Sequence, residues 1–144
     1  MQVQHILKSK SDDAVVTVPP GTRLTAAAKI LAERKIGTVV ISEDGQTALG
    51  ILSERDIVRE IAARGAAILS DPVEKYMTSK LVTCRREDKA DDVLTQMTNG
   101  RFRHMPVIEG GQLVGLITLG DVVKARLSEL SMEKDALQGM IMGY

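Results

Sequence analysis

The sequence predicts an α/β (α+β) fold in which two tandem βαββα repeats form one pseudo-twofold module, followed by an extended C-terminal helix. Two observations lead to this prediction. The segment Leu49–Val58 aligns with Val114–Val123, so that two aspartates take matching positions about 65 residues apart, and a period of this length indicates a duplicated unit. Within each copy, short β-branched runs alternate with segments of helical periodicity. The chain of 144 residues is long enough to bury the core of one domain.

The first repeat contains predicted elements in the order strand, helix, strand, strand, helix. β-branched runs predict the strands, helical spacing of apolar side chains predicts the helices, and Pro, Gly, Asp and Ser mark the boundaries. These elements are a strand at Val15–Val18, a helix with its N-cap at Thr22 and its end at Gly37, a strand at Thr38–Ile41, a turn at Asp44 and Gly45, a strand at Ala48–Leu52, and a helix that Ser53 opens and Gly65 ends.

The second repeat follows the same order after a linker with a turn and a short helix. Its elements are the linker turn at Ser70–Pro72, the short helix at Val73–Met77, a strand at Leu81–Cys84, a helix capped by Asp88 that runs to Asn99 and Gly100, a strand at Met105–Ile108, a turn at Gly110 and Gly111, a strand at Leu113–Ile117 and a helix from Thr118. We therefore predict one repeat over residues 1–68, a second over residues 69–127 and a helical extension over residues 128–144.

The predicted C-terminal helix carries an apolar stripe that needs a partner surface. Its side chains are spaced by three and four residues, as on one face of a helix. The members are Val123, Leu127, Leu130, Leu137, Ile141 and Tyr144, interrupted by Lys134. The stripe can pack on its own domain or form a seam between two subunits, and the sequence leaves both alternatives open.

Composition narrows the possible partners. The chain has 19 basic and 19 acidic side chains and only 2% aromatic residues. It therefore lacks the excess positive charge that binds phosphates and the aromatic side chains that stack on bases, both of which are typical of nucleic-acid-binding proteins. Cys84 is the only cysteine, which fits a reducing compartment and predicts a buried thiol. Nowhere do about 18 consecutive apolar residues occur. We expect a cytoplasmic protein with no nucleic-acid partner and no membrane span.

Catalytic and metal sites lack their minimum residues. A cysteine–histidine dyad would pair Cys84 with His104 or His5, but Cys84 falls within a predicted strand. The sequence contains no HExxH motif, no cysteine pair and no phosphate-binding P-loop. We therefore expect no enzymatic activity, no required cofactor and no metal site.

A Ser/Thr-x-x-Asp motif occurs once in each repeat, as Ser53 with Asp56 and as Thr118 with Asp121. The spacing is typical of a capping box, in which the hydroxyl and the carboxylate satisfy backbone N–H groups at the start of a helix. The same turn can also serve a ligand, because free N–H groups favour phosphate and a carboxylate can accept hydrogen bonds from both hydroxyls of a ribose. Capping alone would explain these residues, and the two interpretations are compatible.

Together these features resemble a CBS-domain pair, also called a Bateman module. The resemblance rests on the doubled βαββα order, on Gly50–Asp56 and Gly115–Asp121, and on the run Phe102–Val107. It covers about residues 3 to 127, and the chain looks like a small stand-alone bacterial member of the family. The resemblance implies a regulatory module that binds an adenosine-containing ligand (AMP, ADP or ATP, with NAD and S-adenosylmethionine as further candidates) and signals by conformational change. It also implies a homodimer that acts on an unknown downstream protein.

The family resemblance implies two ligand clefts between the paired repeats, each with an aspartate on the ribose. One cleft would take Thr118, Asp121, Leu116, His104, Ile36, Gly37 and Thr38, with Val16 beside the adenine. The other would take Ser53, Asp56, Ile51, Thr38, Phe102, Arg103 and the segment from Thr78 to Val82.

The two implied clefts differ in charge. Arg103 and His104 flank the strand entry of the second repeat, and the first repeat lacks a basic residue at the position matching His104. Because charge-assisted hydrogen bonds to phosphate are stronger than neutral ones, we expect the cleft containing Asp121 to hold phosphate better. The alternatives are a structural role for His104 and a solvated surface charge for Arg103. The rival to the whole functional interpretation is a ligand-free scaffold or dimerisation module in which both motifs serve only as caps.

Overall fold

The computed structural model describes residues 1–10 and 14–142. In that range the chain forms five α-helices, five β-strands and two short 3₁₀ helices. The elements are α1 (Val3–Ser9), β1 (Thr17–Val18), α2 (Leu24–Arg34), β2 (Thr38–Ile41), β3 (Gly50–Ser53), α3 (Glu54–Arg64), the 3₁₀ helices Ala66–Ser70 and Val73–Lys75, α4 (Ala90–Gly100), β4 (His104–Glu109), β5 (Gln112–Thr118) and α5 (Leu119–Met142). Residues 143 and 144 of the predicted extension, including Tyr144, lie outside the described residues.

The strands form two small sheets. In the first, β2 lies between β1, to which it is parallel, and β3, to which it is antiparallel. The register of the antiparallel pair sets Thr38 opposite Ser53. In the second sheet, β4 pairs with β5. This mixture of helices and sheets, together with the long C-terminal helix, confirms the predicted fold class.

The chain divides into two compact units, and neither is continuous in sequence. The repeat-one unit contains Ala14–Val82 and Ile108–Val114. The repeat-two unit contains Thr83–Val107, the chain from Gly115 onwards and the N-terminal helix α1. The predicted repeat boundaries at residues 68 and 127 stay a prediction.

The repeat-one unit has a core built from one face of α2 and both sides of β2. Leu24, Ala27 and Leu31 repeat at helical spacing on α2 and are buried. All four residues of β2 are buried, as expected for the central strand of a sheet. The buried cluster consists of Val18, Leu24, Ala27, Leu31, Val39, Ile41, Leu52, Ile57, Ile68 and Val73.

The repeat-two unit includes α1, a helix that the sequence analysis did not predict. Val3, Ile6 and Leu7 are buried on one face of α1. The backbone N–H of Val3 donates to the carbonyl of Asp88 at 2.9 Å. At Gly115 a Cβ atom would lie 2.8 Å from Cδ2 of Leu7, so the glycine permits a close approach of α1 to β5. The N-terminal segment is therefore an integral part of this unit.

Two predicted helix caps were wrong by one residue or more. The N-cap of α2 is Arg23, since the Thr22 hydroxyl donates to the carbonyl of Pro19 at 2.7 Å instead of capping the helix. The N-cap of α4 is Lys89, since the Asp88 carboxylate accepts the N–H of Arg85 at 2.8 Å. In both cases the polar side chain closes a turn before the helix, a local bond that competes with capping.

The end of α2 and the first strand of the second repeat also differ from prediction. Helix α2 ends at Arg34 and is capped by Lys35 in the left-handed conformation (φ 54°), before Gly37 is reached. The predicted strand Leu81–Cys84 is reduced to one parallel bridge between Cys84 and Val107. The N–H of Cys84 donates to the carbonyl of Pro106, and Pro106 has no N–H of its own with which to extend the ladder toward Val82.

Helix α5 runs without interruption from Leu119 to Met142. Its buried positions are Val122 and Ala125. The described members of the predicted stripe are exposed in this chain; they are Val123, Leu127, Leu130, Leu137 and Ile141. The described chain therefore leaves much of the stripe uncovered, most of all at Leu127 and Ile141. No helix of residues 1–10 and 14–142 is both long and apolar enough to cross a membrane.

Candidate functional site

The strand-to-helix junction of the repeat-one unit is a capping box. Strand β3 ends at Ser53, and its hydroxyl oxygen accepts the N–H of Asp56 at 3.1 Å. The Oδ2 atom of Asp56 in turn accepts the N–H of Ser53 at 2.9 Å. The two residues satisfy backbone donors that the first turn of α3 would otherwise leave open.

The junction of the repeat-two unit is built in the same way. The Thr118 hydroxyl oxygen accepts the N–H of Asp121 at 3.0 Å, and Oδ2 of Asp121 accepts the N–H of Thr118 at 3.0 Å. The capping interpretation therefore holds for both motifs. Capping does not use all the acceptor sites of each carboxylate, because an ionised aspartate offers about four lone-pair sites on its two oxygens.

At each junction a second hydrogen bond involves a residue that the family resemblance assigned to a ligand cleft. The N–H of Glu54 donates to the carbonyl of Gly37 at 2.9 Å, and the N–H of Leu119 donates to the carbonyl of Arg103 at 2.8 Å. Each helix thus begins against the backbone that precedes the other strand of its hairpin. Gly37 and Arg103 are at equivalent places in the two units, and the Arg103 side chain is exposed.

The cations on the two carboxylates differ. Asp56 pairs through Oδ1 with Nη2 of Arg59 at 2.9 Å, a contact within α3. Asp121 pairs through Oδ2 with Nζ of Lys10 at 2.9 Å, and Lys10 also donates to the carbonyl of Leu116 at 3.0 Å. The Arg59 side chain is 64% exposed, whereas that of Lys10 is only 22% exposed. Lys10 is the site residue that the sequence analysis missed, and the only sequence signal for it was the helical spacing of apolar residues in α1.

The environment of Asp121 shifts its pKa. Partial burial by itself raises the pKa of this carboxyl group, but the hydrogen bonds from Thr118 and the Lys10 ammonium outweigh burial and hold the pKa below its usual value of 3.8. Asp121 is therefore ionised at neutral pH and able to accept further hydrogen bonds. Within residues 1–10 and 14–142, its Oδ1 atom accepts no hydrogen bond.

The lowered pKa of Asp121 makes a prediction about stability in acid. A group whose pKa is depressed by folding contributes stability above its unfolded-state pKa, and the contribution is lost as the pH falls below that value. Between about pH 5 and pH 3, the Tm of the wild-type protein should therefore fall more steeply than that of Asp121→Asn. Lys10→Gln should show an intermediate slope. Thermal melts followed by circular dichroism measure both slopes, and identical slopes in the wild type and Asp121→Asn would contradict the prediction.

Thr38 lies beside the repeat-one junction, opposite Ser53 in the antiparallel register. Its residue surface is only 4% exposed, and its hydroxyl is buried with no hydrogen-bond partner among the described residues. A buried hydroxyl without a partner is uncommon in a folded protein. The Thr38 hydroxyl is therefore a polar group beside Ser53 and Asp56 to which the described chain supplies no hydrogen bond.

The remaining predicted residues of the repeat-one unit lie on or beside its sheet. Ile51 in β3 forms a backbone bridge with Thr78, with N–H to carbonyl distances of 3.0 and 2.9 Å. The carbonyl of Val16 accepts the N–H of Val40, and Ile36 packs against the core. These contacts bring Ile51, Thr78 and Val16 to the sheet that carries Thr38. Val82 is 48% exposed and lies outside the strands.

In the repeat-two unit, Phe102 and His104 flank Arg103, whose carbonyl accepts the N–H of Leu119, and Leu116 lies two residues before Thr118. His104 opens β4 and Leu116 belongs to β5. The Phe102 ring covers Gly100, where any Cβ atom would collide with it. The two implied clefts combine residues of both units, and that combination stays a prediction.

Other candidate chemistry is sparse in the described chain. Cys84 is buried, as predicted for a structural thiol. Among residues 1–10 and 14–142, no group of three or more His, Cys, Asp or Glu side chains is placed to hold a metal ion.

Comparison with known proteins identifies the family. The family model for the CBS domain matches the chain twice, over residues 7–63 and 73–128. A CBS domain-containing mitochondrial protein of Arabidopsis thaliana is 31% identical, over 98% of this chain and 72% of that protein. The crystal structure of a CBS-domain containing protein from Agrobacterium tumefaciens is 43% identical, with a TM-score of 0.83 over 88% of this chain and 99% of that one.

A third relative has a ligand in its solved structure. The CBS domain protein of Pyrobaculum aerophilum complexed with AMP is 25% identical, with a TM-score of 0.77 over 92% of this chain and 99% of that chain. The names of these relatives indicate no catalytic activity. With two family matches in tandem and solved CBS-domain structures of the same fold, the chain belongs to the CBS-domain family and contains a pair of CBS repeats.

Proposed function

We propose that the chain is a non-enzymatic sensor that binds an adenosine-containing ligand and passes the signal to another protein by a change of conformation. AMP, ADP and ATP are the first candidate ligands, with NAD and S-adenosylmethionine as further candidates. The adenine nucleotide would act as a regulatory ligand and not as a cofactor of a reaction. A cytoplasmic location is part of the same proposal.

The observation that carries the proposal is the Oδ1 oxygen of Asp121, which no side chain or backbone group of the described residues engages in a hydrogen bond. The capping box and Lys10 engage Oδ2, while Oδ1 accepts no hydrogen bond within the described chain. An ionised carboxylate at a helix start can accept both hydroxyls of a ribose diol, and charge-assisted hydrogen bonds of this kind are the stronger ones. At the other junction both oxygens of Asp56 are engaged, by Ser53 and Arg59. Asp121 is therefore the better ribose acceptor.

Two further findings support the proposal. The buried Thr38 hydroxyl lacks a partner in the described chain, and a ligand hydrogen bond would satisfy it. The Pyrobaculum aerophilum relative, which shares the fold over nearly its whole length, was solved in complex with AMP. A ligand of this class would shift the conformational equilibrium of the chain by no more than the difference of its affinities for the two states.

The rival function, a ligand-free scaffold or dimerisation module, also has an observation in its favour. The stripe residues of α5 stay exposed; examples are Leu127 at 62% and Ile141 at 77%. An exposed apolar helix face of this length is typical of an interface. We include a homodimer in the proposal, since dimerisation and ligand binding are compatible. The rival differs only in predicting no ligand.

A ligand panel distinguishes the two functions. We expect AMP, ADP or ATP at millimolar concentration to raise the Tm by mass action, by an amount that grows with the ligand concentration over its Kd. The panel should include NAD, S-adenosylmethionine and GMP as the non-adenine control, measured by differential scanning fluorimetry. Light scattering of the same samples gives the oligomeric state. A dimer whose Tm does not move with any adenosyl compound would favour the scaffold.

A further inference from the structure

The contact between Lys10 and Asp121 joins two distant parts of the chain within the repeat-two unit. Nζ of Lys10 lies 2.9 Å from Oδ2 of Asp121 and 3.0 Å from the carbonyl oxygen of Leu116. The Lys10 side chain is 22% exposed and that of Asp121 is 23% exposed. The ammonium group therefore neutralises, in a partly buried position, the carboxylate that we propose as the ribose acceptor.

The equivalent junction shows that this cation is not a general requirement of the capping box. Asp56 has Arg59 as its cation, three residues along the same helix and largely in solvent. Such helix pairs form locally and contribute little. Lys10 instead follows α1, whose buried face fixes the lysine backbone against the unit. The cation at the Asp121 junction therefore comes from a separate element, the end of α1, whereas the cation at the Asp56 junction comes from the same helix, α3.

A ribose bound at Oδ1 of Asp121 draws on the same carboxylate charge that the Lys10 ion pair uses through Oδ2. The ribose hydroxyls are neutral donors, so a ligand that takes the carboxylate reduces the compensation of the Lys10 charge. A partly buried ammonium that loses its anion is costly unless another anion replaces it. The long flexible stem of lysine lets the ammonium move to a phosphate while its backbone stays in place. Adenosine supplies no such anion, and S-adenosylmethionine adds a second cation.

We propose that Lys10 is a phosphate-binding and specificity-determining residue of the Asp121 site, which leaves the carboxylate for the phosphate of a bound nucleotide. The inference rests on the proposed function and restricts the class of ligand that the site binds. The site selects nucleoside phosphates over adenosine and over cationic adenosyl compounds. Lys10 then supplies phosphate contacts in addition to Arg103 and His104.

Isothermal titration of AMP and of adenosine into four proteins tests the inference. The proteins are the wild type, Lys10→Gln, Lys10→Arg and the control Lys8→Gln, which removes an exposed lysine from the last turn of α1. The wild type should bind AMP at least about tenfold more tightly than adenosine, as one hydrogen bond to a charged group accounts for a factor of this size. Lys10→Gln should reduce this preference about tenfold, with adenosine affinity unchanged or tighter. Lys10→Arg and Lys8→Gln should keep the preference within about threefold.

Each contrary outcome has a distinct meaning. If Lys10→Gln changes the affinities for AMP and adenosine by the same factor, in either direction, Lys10 only positions or blocks Asp121, and the inference is wrong. If Lys8→Gln reduces the preference as much as Lys10→Gln, the effect is one of overall charge, and the inference is again wrong. If the wild type binds neither these two compounds nor any member of the ligand panel, the proposed function itself fails; if it binds another panel member but neither of these two, only the inference is wrong. Thermal melts of all four proteins verify that they are folded at the titration temperature.

Discussion

Replacing Asp121 with Ala is expected to weaken AMP binding at least about 100-fold, because two charge-assisted hydrogen bonds to the ribose are lost together. The same change should lower the free energy of unfolding by only about 1 kcal/mol, the typical effect of losing a helix cap. The two effects arise from different atoms of one side chain. Oδ2 accepts the capping N–H of Thr118, and Oδ1 is the atom that we propose as the ligand acceptor.

Asp121→Asn separates these two effects. The amide oxygen can still accept the N–H of Thr118, so most of the cap survives, but the charge that strengthens the ribose contacts is gone. Asp91→Ala is the matched control, since it removes an acidic side chain that is 64% exposed and lies on α4, outside the junction. Titration calorimetry and urea unfolding give both quantities. An Asp121→Ala protein that loses stability but binds AMP with the wild-type Kd would show that Asp121 serves only as a helix cap and is not the ribose acceptor.

Replacing Leu24 with Ala is expected to cost about 2–5 kcal/mol of unfolding free energy, the range observed when a buried leucine is truncated and leaves a cavity. Leu24 is fully buried in the repeat-one core, at the first turn of α2. Val58→Ala is the control, because Val58 is 65% exposed and its truncation should change the free energy by no more than about 0.5 kcal/mol. Urea unfolding followed by circular dichroism measures both. Equal losses for the two variants would contradict the core described above.

Local signals in the sequence predicted the parts of the fold that depend on near neighbours. Ser53 and Asp56 lie three residues apart, so their capping box is specified by the chain between them. The β-branched run Thr38–Ile41 predicts a buried strand, and all four residues are buried. Helical spacing also predicted the apolar face of α5, but it left open whether that face packs on its own domain or between two subunits.

The features that were missed depend on residues far apart in sequence. Helix α1 has only seven residues, and a helix of this length is stable only when packed against other parts of the protein. Its backbone partner, the carbonyl of Asp88, belongs to a distant part of the sequence. The ion pair of Lys10 with Asp121 spans even more of the chain, and no local pattern predicts it. The predicted N-caps of α2 and α4 were wrong for the opposite reason. Thr22 and Asp88 each form a hydrogen bond within the turn that precedes the helix, and this bond is even more local than a cap.

The discontinuity of the repeat-two unit has a consequence for how the protein is made. The ribosome releases α1 before its packing partners, since the carbonyl of Asp88 and the close-packed Gly115 follow much later in the chain. At about 5–20 residues per second, this helix waits on the order of 5 to 20 seconds for its binding surface. During that interval the apolar face of Val3, Ile6 and Leu7 is open to chaperones. The unit therefore closes, and Lys10 reaches Asp121, only after the segment from Gly115 to Asp121 has been made, so the charge of the candidate site is set well after Lys10 itself has been synthesised.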